Sequence, residues 1–265
     1  MNNSYSAIYE HLFLKKGTNR GVSVFISGAE QTGSTWCSLN IAHALNQEKQ
    51  RVLFVDACGN FSNAYSYLPL NTDLFIEDYI RGTKTLNQIL SGYKNKNFNL
   101  LVAKSGGKFL QSMQKGRISI FAEDLFFLAD DYNHTIIDVD ANNIDKALCL
   151  CQIANNIILT CTENNADITK TFELIRKLNE SEIDANYYLI INKVNSFEDG
   201  FKVYEKLCKA SDRTSLKYPD LLGIIRLDTR VRDTIKNKEM LLTRYPTSEA
   251  ASDIKNIAEK LCWEK

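Results

Sequence analysis

Residues 27–36, SGAEQTGSTW, constrain the fold more than any other segment of the chain. The apolar residues 22–26 that precede them predict a buried strand. Cys37, Ile41 and Leu45 follow at intervals of four residues, which places them on one face of a helix. A strand that turns through a glycine-containing loop into a helix points backbone N–H groups at one place, where an anion can bind.

This loop keeps the glycine spacing of a phosphate-binding P-loop but has lost its positive charge. The pattern G-x-x-x-x-G-K-[ST] is matched by Gly28, Gly33 and Thr35, but Ser34 stands where the pattern has lysine. Glu30 adds a negative charge to the same loop. Because a charged hydrogen bond contributes about 1.5–3 kcal/mol, we expect triphosphate binding to be weakened.

The loop and the strand after the first helix together resemble the deviant P-loop ATPases of the MinD/ParA class. The loop of that class reads K-G-G-x-G-K-[ST], and its extra signature lysine corresponds to Ala29 here. Residues 51–58, RVLFVDAC, resemble the second strand of the class, which ends in D-x-D. Asp56 keeps the first aspartate, and Cys58 replaces the second. The resemblance implies that this second aspartate helps to position Mg²⁺ and the attacking water.

Later segments extend the resemblance. Residues 135–138, TIID, resemble the Walker B strand, and residues 190–193, IINK, resemble the strand whose asparagine contacts adenine. Residues 222–232, LGIIRLDTRVR, and 245–251, YPTSEAA, are similar to the FlhG/FleN-type flagellar-number regulators. The usual sequences of these regulators at the two positions are close to G-x-I-P-x-D-x-x-V-R and Y-P-x-S-x-A-A.

The resemblance implies ATP and Mg²⁺ as the ligands of this site. The candidate cofactor-binding residues are Gly28, Gly33, Ser34, Thr35, Asp138 and Asn192. A second interpretation is that they only preserve the loop and the strand ends, and we favour it for the two glycines. We assign no catalytic residue, because phosphoryl transfer depends on charge stabilisation that both lost lysines would supply.

The apolar strands show no polar alternation and alternate with helices, which predicts a mostly parallel, twisted sheet with helices on both faces. We expect one P-loop NTPase-like α/β domain over residues 21–265, preceded by an N-terminal arm over residues 1–20. The predicted strands are 22–26, 51–56, 98–103, 135–138, 156–160, 187–192 and 221–225. A first helix is predicted directly after residue 33. Further helices are predicted at 73–80, 85–91, 118–132, 144–153, 166–178, 197–208, 229–236 and 248–263, and a loop is predicted at 58–68.

Composition argues against several classes of function. The 32 basic and 32 acidic residues balance, so no electrostatic footprint for nucleic acid is present. Seven cysteines, an odd number without a C-x-x-C motif, favour a reducing, cytoplasmic setting over a disulfide framework. No apolar run reaches the ~20 residues that span a bilayer, and no signal peptide is apparent.

Some local patterns leave alternatives open. Cys149 and Cys151 lie in an apolar run and are expected to be buried in a helix, with metal binding the weaker alternative. Asp138 and Asp140 at a strand end could hold a cation, although we predict no metal site. Trp36 either fills space that a nucleotide would occupy or belongs to the core.

The C-terminal helix carries an apolar stripe among mixed charges, so we expect it to pack on the sheet and do not expect peripheral membrane association. The stripe is Ile254, Ile257, Ala258 and Leu261. The sequence thus favours a MinD/FlhG-like pseudo-ATPase that binds a protein partner and controls the position or number of an assembly such as the flagellum. The alternative is a weakly active, ATP-driven switch that dimerises and associates with membrane. A homodimer is compatible with both interpretations.

Overall fold

The computed structural model describes residues 21–58, 64–104, 113–140, 144–211 and 216–263. The predicted arm over residues 1–20 lies outside these ranges. So does the Ser-Gly-Gly sequence at 105–107, which the sequence predicts to be a plain connecting turn.

The described residues form one α/β domain around an eight-stranded sheet, as predicted. The strands are β1 Gly21–Ser27, β2 Val52–Asp56, β3 Ser91–Tyr93, β4 Asn95–Val102, β5 His134–Asp140, β6 Asn156–Cys161, β7 Asn186–Val194 and β8 Asp220–Arg226. Their order across the sheet is β3-β4-β2-β5-β1-β6-β7-β8. All neighbouring pairs are parallel except β3 and β4, which are antiparallel.

Helices connect the parallel strands. They are α1 Ser34–Gln47, α2 Ala64–Tyr67, α3 Ile76–Ile80, α4 Lys115–Leu128, α5 Ile144–Cys151, α6 Asn165–Glu180, α7 Phe197–Ser211, α8 Arg230–Asn237, α9 Leu241–Arg244 and α10 Glu249–Trp263. Short 3₁₀ turns cover Leu86–Gln88 and Ala129–Asp131. Ser248 begins the last helix as expected, because its hydroxyl accepts a hydrogen bond from Ala251 N at 3.2 Å.

The sequence predictions were wrong in three places. The helix predicted at 85–91 is only a 3₁₀ turn followed by β3, which was missed. The predicted loop at 58–68 contains α2, and α9 was not predicted. These elements are three to four residues long, too short to show a helical or strand period. The antiparallel pairing of β3 is instead stabilised by Tyr93, whose ring packs edge-on against Phe98 with centroids 5.8 Å apart.

Each face of the sheet carries its own apolar cluster. The cluster on one face includes side chains of α4 to α7, such as Phe121, Leu150 and Leu174. The other cluster joins α1 to α10. The predicted stripe of α10 is fully part of it, with Ile254, Ile257, Ala258 and Leu261 at 0–5% exposure, and the prediction that it packs on the sheet is confirmed.

The close approach of α10 to β8 depends on a glycine. A Cβ at Gly223 would lie 2.4 Å from Cγ1 of Ile257, so a larger residue would push the helix away. Cys149 and Cys151 are both buried in α5, as the apolar run predicted. Among the described residues, no helix is both long and apolar enough to cross a bilayer.

Candidate functional site

The glycine loop between β1 and α1 lies at the carboxyl edge of the sheet, where ligands bind in open α/β folds. Gly33 occupies the left-handed region at φ +89° and immediately precedes α1. A Cβ on Gly33 would lie 2.5 Å from Nδ2 of Asn192. A Cβ on Gly28 would lie 2.4 Å from the backbone O of Lys170 in α6. Packing against these two neighbours is therefore sufficient to require both glycines.

The end of β7 holds the loop through two hydrogen bonds. Asn192, which is 3% exposed, donates from Nδ2 to the backbone O of Thr32 at 2.7 Å. Lys193 donates from Nζ to the backbone O of Gln31 at 2.6 Å. The amide of Asn192, predicted by resemblance to contact adenine, is thus directed at the loop itself. The ammonium of Lys193 likewise binds the loop carbonyl.

Asp138, near the end of β5, is hydrogen-bonded to two other predicted site residues. Its side chain is fully buried and accepts from Thr35 Oγ1 at 2.6 Å and from Ser34 Oγ at 3.3 Å. Cys58 donates to the same carboxylate, with Sγ 3.1 Å from Oδ2. Ser34, Thr35 and Asp138 therefore form one hydrogen-bonded group beneath the loop.

A second buried carboxyl group lies beside Asp138. Asp56 and Asp138 are paired residues in the β2–β5 register, and Cys58 follows Asp56 by two positions. Asp56 accepts from the backbone N–H groups of Cys58 at 3.1 Å and Ala64 at 2.6 Å. One side-chain ligand atom from each of Asp56, Cys58 and Asp138 lies within 4.8 Å of the others.

Among the described residues, no cation compensates the charge of the cluster of Asp56, Cys58 and Asp138. Burial, and then the negative charge of Asp138, raises the pKa of Asp56 to about 8. Burial raises the pKa of Asp138 to about 6, against the opposing hydrogen bond from Thr35. Burial also raises the pKa of the Cys58 thiol well above its usual range. Among the described residues, no lysine or arginine forms an ion pair with either carboxylate.

Among the described residues, these three could hold a metal ion, and they differ from the pair considered from the sequence. From the sequence, Asp138 and Asp140 were considered as possible ligands of a cation. The structure instead places Asp56 and Cys58 next to Asp138. The Asp-x-Cys spacing at the end of a buried strand was the available signal. A thiol in place of a carboxylate removes an oxygen ligand, and Mg²⁺ prefers oxygen ligands.

Trp36 and His43, both on α1, belong to the fold and not to this cluster. Trp36 is 6% exposed and lies in the apolar cluster shared by α1 and α10, which favours its core interpretation. His43 stacks on Phe98 with ring centroids 6.4 Å apart, in agreement with a packing role.

Comparison with known proteins gives relatives over nearly the whole chain. The sequence is 26% identical over 241 residues to the antiactivator FleN of Pseudomonas aeruginosa, covering 88% of this chain and 83% of FleN. No model of a known protein family matches the sequence.

Solved structures share the fold at lower sequence identity. MinD in the MinC:MinD cell division complex of Aquifex aeolicus superposes with a TM-score of 0.76 at 21% identity, covering 92% of this chain and 96% of that one. A ParA family ATPase of Chlorobium tepidum gives a TM-score of 0.75 at 19% identity, covering 91% and 99%. The chain is thus similar in sequence to FleN and shares the fold of the solved MinD and ParA family structures.

Proposed function

We propose that this chain is a regulatory scaffold that controls the position or number of a cellular assembly by binding a protein partner in the cytoplasm, without hydrolysing ATP. The names of its relatives support the regulatory part: FleN is an antiactivator, and the Aquifex MinD structure is a complex with MinC. Since a fold does not by itself carry a function, the proposed absence of ATP hydrolysis has to be supported by the chemistry of the site.

The observation that carries the proposal is the charge of the phosphate site. Ser34 occupies the P-loop lysine position and donates its hydroxyl to Asp138. Asp56 and Asp138 are buried beside the loop without a cationic partner among the described residues. A triphosphate would add further negative charge next to two carboxyl groups. The residues present therefore do not fit Mg-ATP hydrolysis.

Calorimetric titration with Mg-ATP, Mg-ADP and a non-hydrolysable analogue tests this part. We expect no binding heat from the natural chain at millimolar nucleotide. Ser34→Lys should restore binding, with an affinity gain of about ten- to a hundredfold from one charged hydrogen bond. Ser34→Met is the matched control, because it has similar length and no charge. Micromolar binding by the natural chain would contradict the proposal.

The alternative, an ATP-driven switch, is favoured by one feature: Thr35 and Asp138 keep a 2.6 Å hydrogen bond at the end of the glycine loop. It predicts that Mg-ATP changes the oligomeric state. Light scattering at saturating Mg-ATP distinguishes the two functions, since the scaffold should remain in the same state with and without nucleotide.

The assembly that we propose is the flagellum, by analogy with the FlhG/FleN resemblance. Deletion of the gene in the native cell should change the number or position of flagella, and the Ser34→Met variant should restore the normal pattern. An affinity pull-down from that cell should recover a specific protein. Normal flagella after deletion would contradict the flagellar role and leave the scaffold proposal to be judged by the pull-down.

A further inference from the structure

A groove that the site does not use runs along the outer side of α4. It has a volume of about 670 Å³. One side of it is lined, at intervals of three or four residues, by Arg117, Ile120, Asp124 and Phe127 of α4 and by Asp131 of the 3₁₀ turn that follows. At 1.5 Å per residue, this stripe is about 20 Å long. We call this surface the α4 groove; its opposite wall comes from the segment between α3 and the first 3₁₀ turn.

The α4 groove exposes large apolar side chains to solvent. Ile120 is 58% exposed and Phe127 is 41% exposed, on the same helix that buries Phe121 and Leu125 completely. Tyr79 closes the base of the groove and donates its hydroxyl to Asp124. Exposed apolar surface that is grouped in a concave site, with charges at its rim, is typical of a docking surface.

The N-terminal residues have a sequence that suits such a groove. Tyr5, Ile8, Tyr9, Leu12 and Phe13 recur at the spacing of one helical face, and the residues between them are small or polar. A nine-residue helical segment would be about 14 Å long, which is shorter than the groove.

The chain connection places this segment within reach of the α4 groove. Gly21, the first residue of β1, donates its N–H to the backbone O of Asn133 at 3.3 Å. Asn133 is two residues from Asp131, which lines one end of the groove. The seven residues 14–20 can extend over about 23 Å. Residues 5–13 can therefore reach any part of the groove without leaving their own chain.

Charge agrees with this placement. Lys15, Lys16 and Arg20 lie between the apolar segment and β1. In the placement proposed below, these three cations would pass the end of the groove that carries Asp131, and Asp124 lies about two turns further on the same side.

We propose that residues 5–13 pack into the α4 groove of the same chain and cover Ile120 and Phe127. The occupant is intramolecular, so its binding should not depend on protein concentration. This proposal is independent of nucleotide binding and of the regulated assembly. A second copy of the chain and a different protein are the competing occupants.

Site-specific photo-cross-linking tests the proposal on the full chain. A photoreactive phenylalanine analogue replaces Ile120, and in a matched control it replaces Phe201, which is 52% exposed on α7. After irradiation and digestion, mass spectrometry should find cross-links from position 120 to the peptide that contains residues 5–13, at a yield unchanged by dilution. Position 201 should give none to that peptide.

Two arm variants make the test specific. The double substitution Ile8→Asp with Leu12→Asp should reduce the cross-link yield by about tenfold or more, because two apolar contacts are lost. Ser6→Asp, on the polar side of the segment, should leave the yield unchanged. The proposal is overturned if position 120 does not cross-link to residues 5–13, if the cross-links join two chains, or if both variants have the same effect.

Discussion

Two buried carboxylate sites at the carboxyl edge of the sheet are built in opposite ways. Asp253 of α10 is 2% exposed and is paired with Arg226 at the end of β8, with Nη2–Oδ1 at 2.9 Å and Nε–Oδ2 at 3.1 Å. Asp56 and Asp138 are as deeply buried, but they face each other and a thiol. The carboxylate of Asp253 has a countercharge from a neighbouring element, whereas those of Asp56 and Asp138 accept only from neutral donors among the described residues.

Charge has different effects in these two regions. The guanidinium of Arg226 also lies 4.5 Å from the ring centroid of Phe197 and reaches Glu249 at 2.7 Å, so it joins β8, α7 and α10. This ion pair stabilises the fold. Around Asp56 and Asp138 the raised pKa values show carboxyl groups whose ionised form is poorly stabilised.

The largest expected effect comes from breaking the paired site. Arg226→Met keeps much of the side-chain volume but leaves Asp253 buried without its cation. We expect the free energy of unfolding to fall by about 3 kcal/mol, the lower end for a buried ion pair, because one fifth of the arginine side chain is exposed. Urea unfolding at neutral pH measures it. Adding Asp253→Asn to this variant should recover part of the loss, and an unchanged midpoint would contradict the structural role of the pair.

At the site of Asp56 and Asp138, removing a carboxyl group should raise the free energy of unfolding, whereas breaking the Arg226–Asp253 pair should lower it. A carboxyl group whose pKa is raised in the folded protein contributes stability at low pH and loses it as pH rises through that pKa. For Asp138 and Asp56 this window extends from the ordinary value near 3.8, through about 6, to about 8. Asp138→Asn should therefore increase the free energy of unfolding by about 2 kcal/mol at alkaline pH and make it less dependent on pH.

Urea unfolding at about pH 5 and about pH 8 measures this change, since the two values fall inside the window over which these groups titrate. Asp253→Asn is the matched control, because it makes the same chemical change at the paired site and should destabilise the protein. If both substitutions changed stability in the same direction, the contrast between the two sites would be lost.

A smaller effect is expected where neutral hydrogen bonds hold the loop. Asn192→Ala removes the bond to the Thr32 carbonyl and should lower the free energy of unfolding by about 1 kcal/mol. Hydrogen exchange of the amides in residues 28–33 should become faster. Asn186→Ala, at the exposed start of the same strand, should leave exchange in the loop unchanged. Equal exchange in both variants would show that Asn192 does not support the loop.

Much of the site could be predicted from local sequence. Gly28, Gly33 and Thr35 were proposed from their spacing, and Asp138 and Asn192 from the resemblance of their strands to those of the MinD/ParA class. The structure brings these positions to one edge of the sheet, as parallel strands require. What local sequence could not show is the partner of each group: that Asn192 donates to Thr32, and that Asp138 lies beside Asp56 and Cys58.

The sequence by itself determined the alternation of strands and helices, the loss of lysine from the loop and the apolar stripe of α10. These are local properties, fixed by the period and chemistry of neighbouring residues. Tertiary structure alone decided the strand order, the β3–β4 hairpin, the charge balance of the two carboxylate sites and the α4 groove. Each of these depends on contacts between residues far apart in the chain, whose distances and burial no local pattern contains.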